Sequence, residues 1–311
     1  MHPQHTYELR VTFDGEAAAA IKCKERMIDW LLLNGVESFV EGELTVDINQ
    51  NQDEPPRDYY TELGGDQTPL SIYRYSRESL DDLRVKLEHA FSGHVSTEIL
   101  TMETEVWMEG WKESFKPFAT DVFYVCPPWE QTPAPTSGLI DLVIEPGMAF
   151  GTGQHATTRL CLDQVGADFL EQRRNVANRS VLDVGTGTGI LLIGAKKLGY
   201  GDCLGTDIED DAILAANTNA RANGVDTKFV LGSLPQGKTF DLVLANILAV
   251  VLIRLMPDLA AVMSPGGRIV LSGLLTEEAE EVKAAGIRAG LTAVRQTDLT
   301  GWGCLLLAKP V

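Results

Sequence analysis

Apolar and polar residues alternate from Tyr7 to Phe13, a period of two that predicts a strand. From Glu16 to Leu33 the apolar positions recur at helical spacing and end at Asn34-Gly35, a helix stop. Val36 to Val46 holds further strand material. A polar stretch from Asn49 to Gln67, broken by Pro55-Pro56 and Gly64-Gly65, leads to a strand at Leu70 to Tyr75, a helix at Ser79 to Phe91 and a strand at Val95 to Met102. The order β-α-β-β-α-β predicts a small ferredoxin-like α+β domain over residues 1–105. It carries no catalytic cluster, so its expected role is substrate docking, with a structural cap as the alternative.

Between 106 and 138 the pattern changes. Trp107, Trp111, Phe115 and Phe118 recur at helical spacing, and Pro127-Pro128 is followed by a Pro, Thr and Ser rich run from Gln131 to Gly138. An amphipathic helix and an extended tether are expected there. From 139 to 311 strand and helix signals alternate. Val181 to Val184, Cys203 to Thr206, Phe229 to Leu231, Leu242 to Ala245 and Arg268 to Leu271 read as strands, with helices at Ala249 to Met263 and Glu277 to Ala289. Leu291 to Thr297 and Cys304 to Ala308 read as a closing antiparallel hairpin. The prediction is an α/β fold with an open, mostly parallel doubly wound sheet, binding its ligand at the carboxyl ends of the strands.

The first of these strands ends in Asp183, Gly185, Gly187 and Gly189, and Ile190 to Ala195 follows at helical spacing. A strand, a glycine turn and a helix let backbone approach a nucleotide-like ligand. A dinucleotide fingerprint would need its third glycine at 190, where this chain has Ile. S-adenosylmethionine carries no pyrophosphate, only an adenosine and a cationic methionine tail, and an acid beside the turn suits that cation. Asp207 closes the next strand, where a carboxylate can accept from both ribose hydroxyls.

Four segments narrow the reading: EPGMAFGTGQHATTRLCL (145–162), VLDVGTGTGIL (181–191), GTDIEDDAILAANTNARANG (205–224) and DLVLANIL (241–248). They resemble the PrmA family, methyltransferases that act on ribosomal protein L-eleven, and residues 107–129 resemble that family's linker region. The FGTGxHxTT segment carries the assignment, because generic methyltransferases share only the glycine turn. The resemblance implies a class I methyltransferase fold, S-adenosylmethionine as cofactor, and cofactor contacts at Thr158, Gly185, Asp207 and Asn246. Phe150 and Gly151 are expected in the same pocket, Phe150 over the cofactor, over the target chain or in the core.

Charge agrees with a basic protein partner. The net charge of -18 is concentrated in residues 1–137, with 25 Asp and Glu against 11 Lys and Arg, whereas residues 138–311 have 19 against 15. Such a front repels nucleic acid and attracts a free ribosomal protein; equally, it keeps the domain soluble. The five cysteines are odd in number with no C-x-x-C pair, and the longest apolar stretch, Leu242 to Ile253, is interrupted by Asn246. A cytoplasmic monomer is expected, with no metal, signal peptide, membrane span or direct nucleic-acid contact.

Methyl transfer from a sulfonium needs an unprotonated nucleophile in line with the methyl carbon. For a lysine, exposing the lone pair at pH 7 costs roughly 4 to 5 kcal/mol unless the site helps. Asn246 offers a carbonyl oxygen to orient the amine, and Ile247-Leu248 behind it lacks the Pro-Pro-aromatic clamp that suits planar nitrogens. His155 is expected to orient its loop, contact the methionine tail, cap the following helix or act as a base. Glu145 either receives the incoming ammonium or bonds a turn backbone. The expected function is protein N-methylation at lysine side chains, and at the N-terminus as a further option, of ribosomal protein L-eleven. The alternatives are the same chemistry on another protein lysine, such as that of an electron-transfer flavoprotein subunit, and a non-catalytic binding module.

Overall fold

The computed structural model describes residues 4–15, 17–34, 36, 39–41, 69–104, 115–130, 138–146, 151, 153, 155–172 and 176–311. The chain divides into two compact units, Met1–Ser114 and Phe115–Val311.

In the first unit β1 (His5–Phe13), α1 (Ala17–Leu33), β2 (Val40–Glu41), β3 (Leu70–Arg74), α2 (Arg77–Ala90) and β4 (Val95–Glu103) follow in chain order. The sheet runs β2-β3-β1-β4 with every neighbouring pair antiparallel. Alternation along β1 buries Leu9, Val11 and Phe13 against Met27 and Leu31 of α1 and Leu80 and Leu87 of α2. The Ser76 hydroxyl caps α2 by accepting from the Ser79 amide at 3.2 Å. Residues 42–46 and the polar loop from Asn49 to Gln67 lie outside the described residues.

The second unit opens with β5 (Phe118–Ala119), β6 (Phe123–Cys126) and β7 (Ile140–Val143), which form their own three-stranded sheet. Of the aromatic residues expected on one helix, Phe118 stands in a strand instead, and β6 lies between the segments expected as helix and tether. All four residues of β6 are buried. A run such as FYVC, buried on both faces, has no alternation by which to recognise it. Trp107, Trp111 and residues 131–137 lie outside the described residues.

Next come α3 (Ala156–Gln172), β8 (Val181–Val184), α4 (Ile190–Lys197), β9 (Cys203–Asp207), α5 (Asp210–Ala222), β10 (Lys228–Leu231), β11 (Phe240–Asn246), α6 (Ala249–Ala261), β12 (Met263–Leu275), α7 (Ala279–Arg288), β13 (Thr292–Leu299) and β14 (Trp302–Ala308). The central sheet has the order β10-β9-β8-β11-β12-β14-β13, with β8 to β12 parallel and β14 antiparallel to both its neighbours. Helices cover both faces. Leu242 and Leu244 of β11 join Leu160, Cys161 and Ile193 on one side, while Val243 and Ala245 join Leu252, Met256 and Val282 on the other. The closing hairpin is therefore present, and its register shifts between Ala293 and Arg295 so that β13 bulges.

The buried Asp168 of α3 anchors that helix. It accepts from Arg179 at 2.5 Å, from the Tyr200 hydroxyl at 2.5 Å and from Arg268 at 3.1 Å, so its charge is fully bonded. The five cysteines are free thiols and all are buried. Among the described residues, no helix is long and apolar enough to cross a membrane, and no group of three or more His, Cys, Asp and Glu side chains could hold a metal ion.

Candidate active site

The glycine turn between β8 and α4 is a backbone cradle. Gly185, Gly187 and Gly189 have φ of 69°, 53° and 81°, in the left-handed region that side chains disfavour. Gly185 is also sterically fixed, because a Cβ there would lie 2.5 Å from Ile247 Cγ2. The Gly185 and Thr186 amides both donate to the Thr206 carbonyl of β9, at 2.9 and 3.0 Å, which locks the turn onto the neighbouring strand.

Asp207 at the end of β9 faces this turn. Its Oδ2 accepts from the Gly187 amide at 2.9 Å and its Oδ1 from the Glu209 amide at 3.1 Å. The two backbone amides orient the Asp207 carboxylate at the mouth of the turn.

Asp183 lies at the carboxyl end of β8, against the same turn. Its side chain is 1% exposed and accepts from the Thr186 hydroxyl at 2.6 Å. Burial pushes its carboxyl up to about 7, against the lowering effect of that hydroxyl, and the nearby Asp207 raises it further. Asp183 therefore holds the glycine turn from beneath.

The carboxyl end of β11 brings Asn246 to Thr158 in the first turn of α3. Asn246 Nδ2 donates to Thr158 Oγ1 at 3.5 Å, and both side chains are buried. Asn246 Oδ1 is buried with no hydrogen-bond partner, an arrangement that rarely persists without a ligand-side donor. His155 sits just before α3. Its Nδ1 lies 2.7 Å from Thr157 Oγ1 and accepts, weakly, from the Thr157 amide at 3.4 Å, while its ring meets Trp302 edge-on at 4.5 Å between centroids. Of its expected roles, loop orientation and helix capping are the ones this geometry performs.

Glu145 lies after β7, with its amide donating to Asn219 Oδ1 at 2.9 Å, and Gly151 accepts from Thr188 Oγ1 at 2.5 Å. Phe150 lies outside the described residues. The residues suit S-adenosylmethionine: the glycine cradle excludes side chains, the orphaned Asn246 oxygen awaits a donor, and the Asp207 carboxylate stands at the turn, oriented by two backbone amides.

A family profile described as ribosomal protein L11 methyltransferase (PrmA) matches residues 16–310. This chain belongs to the PrmA family. The family's ribosomal protein L11 methyltransferase from Shewanella piezotolerans is 35% identical over 289 residues, covering 89% of this chain and 90% of the relative. That of Geobacter metallireducens is 38% identical over 256 residues, covering 78% and 83%. Among solved structures, a ribosomal protein L11 methylase from Lactobacillus delbrueckii subsp. bulgaricus superimposes with a TM-score of 0.57 at 30% identity, covering 63% of this chain and 100% of that one.

Several residues of this PrmA site escape a reading of periodicity. Phe118 of β5 supports the FGTG segment: a Cβ on Gly153 would lie 2.8 Å from its ring, and the Arg159 guanidinium sits 4.3 Å above its centroid. Trp302 braces His155 from the hairpin. Asn219 falls inside one of the segments that carry the family resemblance, yet nothing in its spacing signals the contacts it makes.

Proposed function

We propose that this chain is an S-adenosylmethionine-dependent N-methyltransferase whose substrate is ribosomal protein L11, acting on amines, principally lysine side chains. The observation that carries the reading is the buried, unpartnered carbonyl oxygen of Asn246 at the carboxyl end of β11, one strand from the glycine turn. The cofactor, when bound, supplies an electrophilic methyl group on a sulfonium. The chain's residues bind and align: Asp207 accepts from ribose hydroxyls, the backbone from Gly185 to Gly189 lets the cofactor approach, and Thr158 holds the Asn246 amide so that its oxygen points a single way. An amine donating to that oxygen has its lone pair directed away from it. Burial around Asn246 favours the neutral amine over the ammonium.

The first unit is the expected docking element for a basic protein. Glu78, Asp82, Glu98 and Glu103 are exposed on it. Buried thiols and a ribosomal substrate suit a cytoplasmic enzyme acting as a monomer.

Mass spectrometry of ribosomal protein L11 after incubation with the enzyme and isotopically labelled cofactor tests the reading. Labelled lysines are expected. Asn246→Ala at saturating cofactor should lower the single-turnover rate by one to three orders of magnitude, at about 1.4 kcal/mol per tenfold. Unlabelled L11 beside a different labelled basic protein would transfer the chemistry to another target, and an unchanged Asn246→Ala rate would place the amine-orienting group elsewhere.

A further inference from the structure

Two asparagines one turn apart, Asn219 in the last turn of α5 and Asn223 at its C-cap, present their amides to Val143 of β7 and to Glu145 just after it. Asn223 behaves like an added strand partner. Its Oδ1 accepts from the Val143 amide at 3.0 Å, and its Nδ2 donates to the Val143 carbonyl at 2.6 Å. Asn219 makes a different pair of bonds. Its Oδ1 accepts from the Glu145 amide at 2.9 Å, while its Nδ2 donates to the carbonyl of Thr188 at 3.0 Å, inside the glycine turn. The same Thr188 donates through Oγ1 to the Gly151 carbonyl.

Asn219 is 1% exposed, and a buried primary amide is retained where both its donor and its acceptor are used. Its two partners belong to different functional segments. Thr188 lies in the turn that receives the cofactor, and Glu145 precedes Gly151, His155 and α3 in the chain. Both Glu145 and Gly151 are thus tied to Thr188: Glu145 through the Asn219 side chain, whose Nδ2 donates to the Thr188 carbonyl, and Gly151 directly through the Thr188 hydroxyl. Any displacement of the turn is passed to both.

We infer that Asn219 is a positioning residue that couples the cofactor turn to Glu145, alongside the direct Thr188–Gly151 bond, setting the target amine in line with the methyl group. The inference rests on the methyltransferase reading above. Asn223 is the natural control, because it secures the same strand without touching the glycine turn.

The test compares Asn219→Ala, Asn219→Asp and Asn223→Ala in the full chain. At saturating cofactor and L11, Asn219→Ala should lower kcat at least tenfold, whereas Asn223→Ala should stay within about twofold of wild type even if it melts earlier. Asn219→Asp keeps the acceptor for Glu145 but replaces the donor to Thr188 with an oxygen, so it should lose kcat as Asn219→Ala does. Hydrogen exchange supplies an arm that needs no turnover. Addition of S-adenosylhomocysteine should slow exchange at the Glu145 amide in wild type and Asn223→Ala, and leave it unchanged in both Asn219 variants.

Equal kcat losses in Asn219→Ala and Asn223→Ala, wild-type kcat in Asn219→Asp, or an unaltered exchange response in the Asn219 variants would each overturn the coupling role. If Asn219→Ala does not fold, Thr188→Val removes the Gly151 link alone and should lower kcat at least tenfold; wild-type kcat there would overturn it too. A wild-type enzyme that leaves L11 unmethylated defeats the substrate reading instead, and the exchange arm still decides the coupling.

Discussion

Asp183 keeps its proton to about pH 7 because burial outweighs the hydrogen bond from Thr186. In the unfolded chain the same carboxyl ionises near 3.9. Its contribution to stability is therefore complete below about pH 4 and is lost as pH rises toward 7, by an amount on the order of 4 kcal/mol for a shift of this size. Asp183→Asn keeps an oxygen for the Thr186 hydroxyl and removes the titration. Denaturant unfolding between pH 4 and 7 should show stability falling with pH in wild type and a flatter profile in the variant; parallel profiles would mean the carboxyl is ionised throughout. Asn246→Asp makes a complementary test at the acceptor: the added charge favours the ammonium, so the optimum of the pH–rate profile should move upward while more activity survives than in Asn246→Ala. An unshifted optimum would separate Asn246 from the target amine.

At the scale of elements, legibility followed periodicity. β1, α2 and the β13–β14 hairpin show their pattern because one face meets solvent or turn residues delimit them. β6 and β7 do not: β6 is buried on both faces, and neighbouring prolines read as tether. The glycine turn was legible for a steric reason that the structure makes explicit. Gly185 and Gly224 have similar φ, 69° and 63°, but only Gly185 has a neighbour where a Cβ would sit, Ile247 at 2.5 Å. Gly224→Ala should thus cost the backbone strain alone, about 1 kcal/mol, and Gly185→Ala roughly 1 to 3 kcal/mol more from overpacking, with weakened cofactor affinity. Thermal melts of the two variants measure the difference, and equal shifts would remove Ile247 from the account. Asp183 was legible as a strand-end acid, but nothing in the sequence signals its burial or the bond it accepts from the Thr186 hydroxyl.

For the whole molecule, the division at Phe115 changes where the catalytic unit can be cut. Phe123 and Val125 lie in the core shared by α3, α4 and β8. A fragment of residues 138–311 loses both, and a buried Phe alone is worth about 3 to 5 kcal/mol, so this fragment should melt well below one of residues 115–311. The longer fragment should bind cofactor yet methylate L11 poorly. Raising salt should slow the full chain on L11, because screening over a Debye length of about 8 Å at physiological ionic strength weakens attraction to an acidic front. Undiminished L11 methylation by residues 115–311 would remove the docking role from the first unit. The central sheet ends in two strands open to further pairing, and the bulge in β13 governs what happens there. β10 is four residues long, too short a template for a stable ladder. β13 has eight residues, seven of them exposed, and Val294 interrupts its register with charged Arg295 and Asp298 following. An incoming strand would find the ladder out of step at the bulge. The hairpin that closes the fold thus carries its irregularity at the longer edge of the sheet, where it works against edge-to-edge pairing with a second copy.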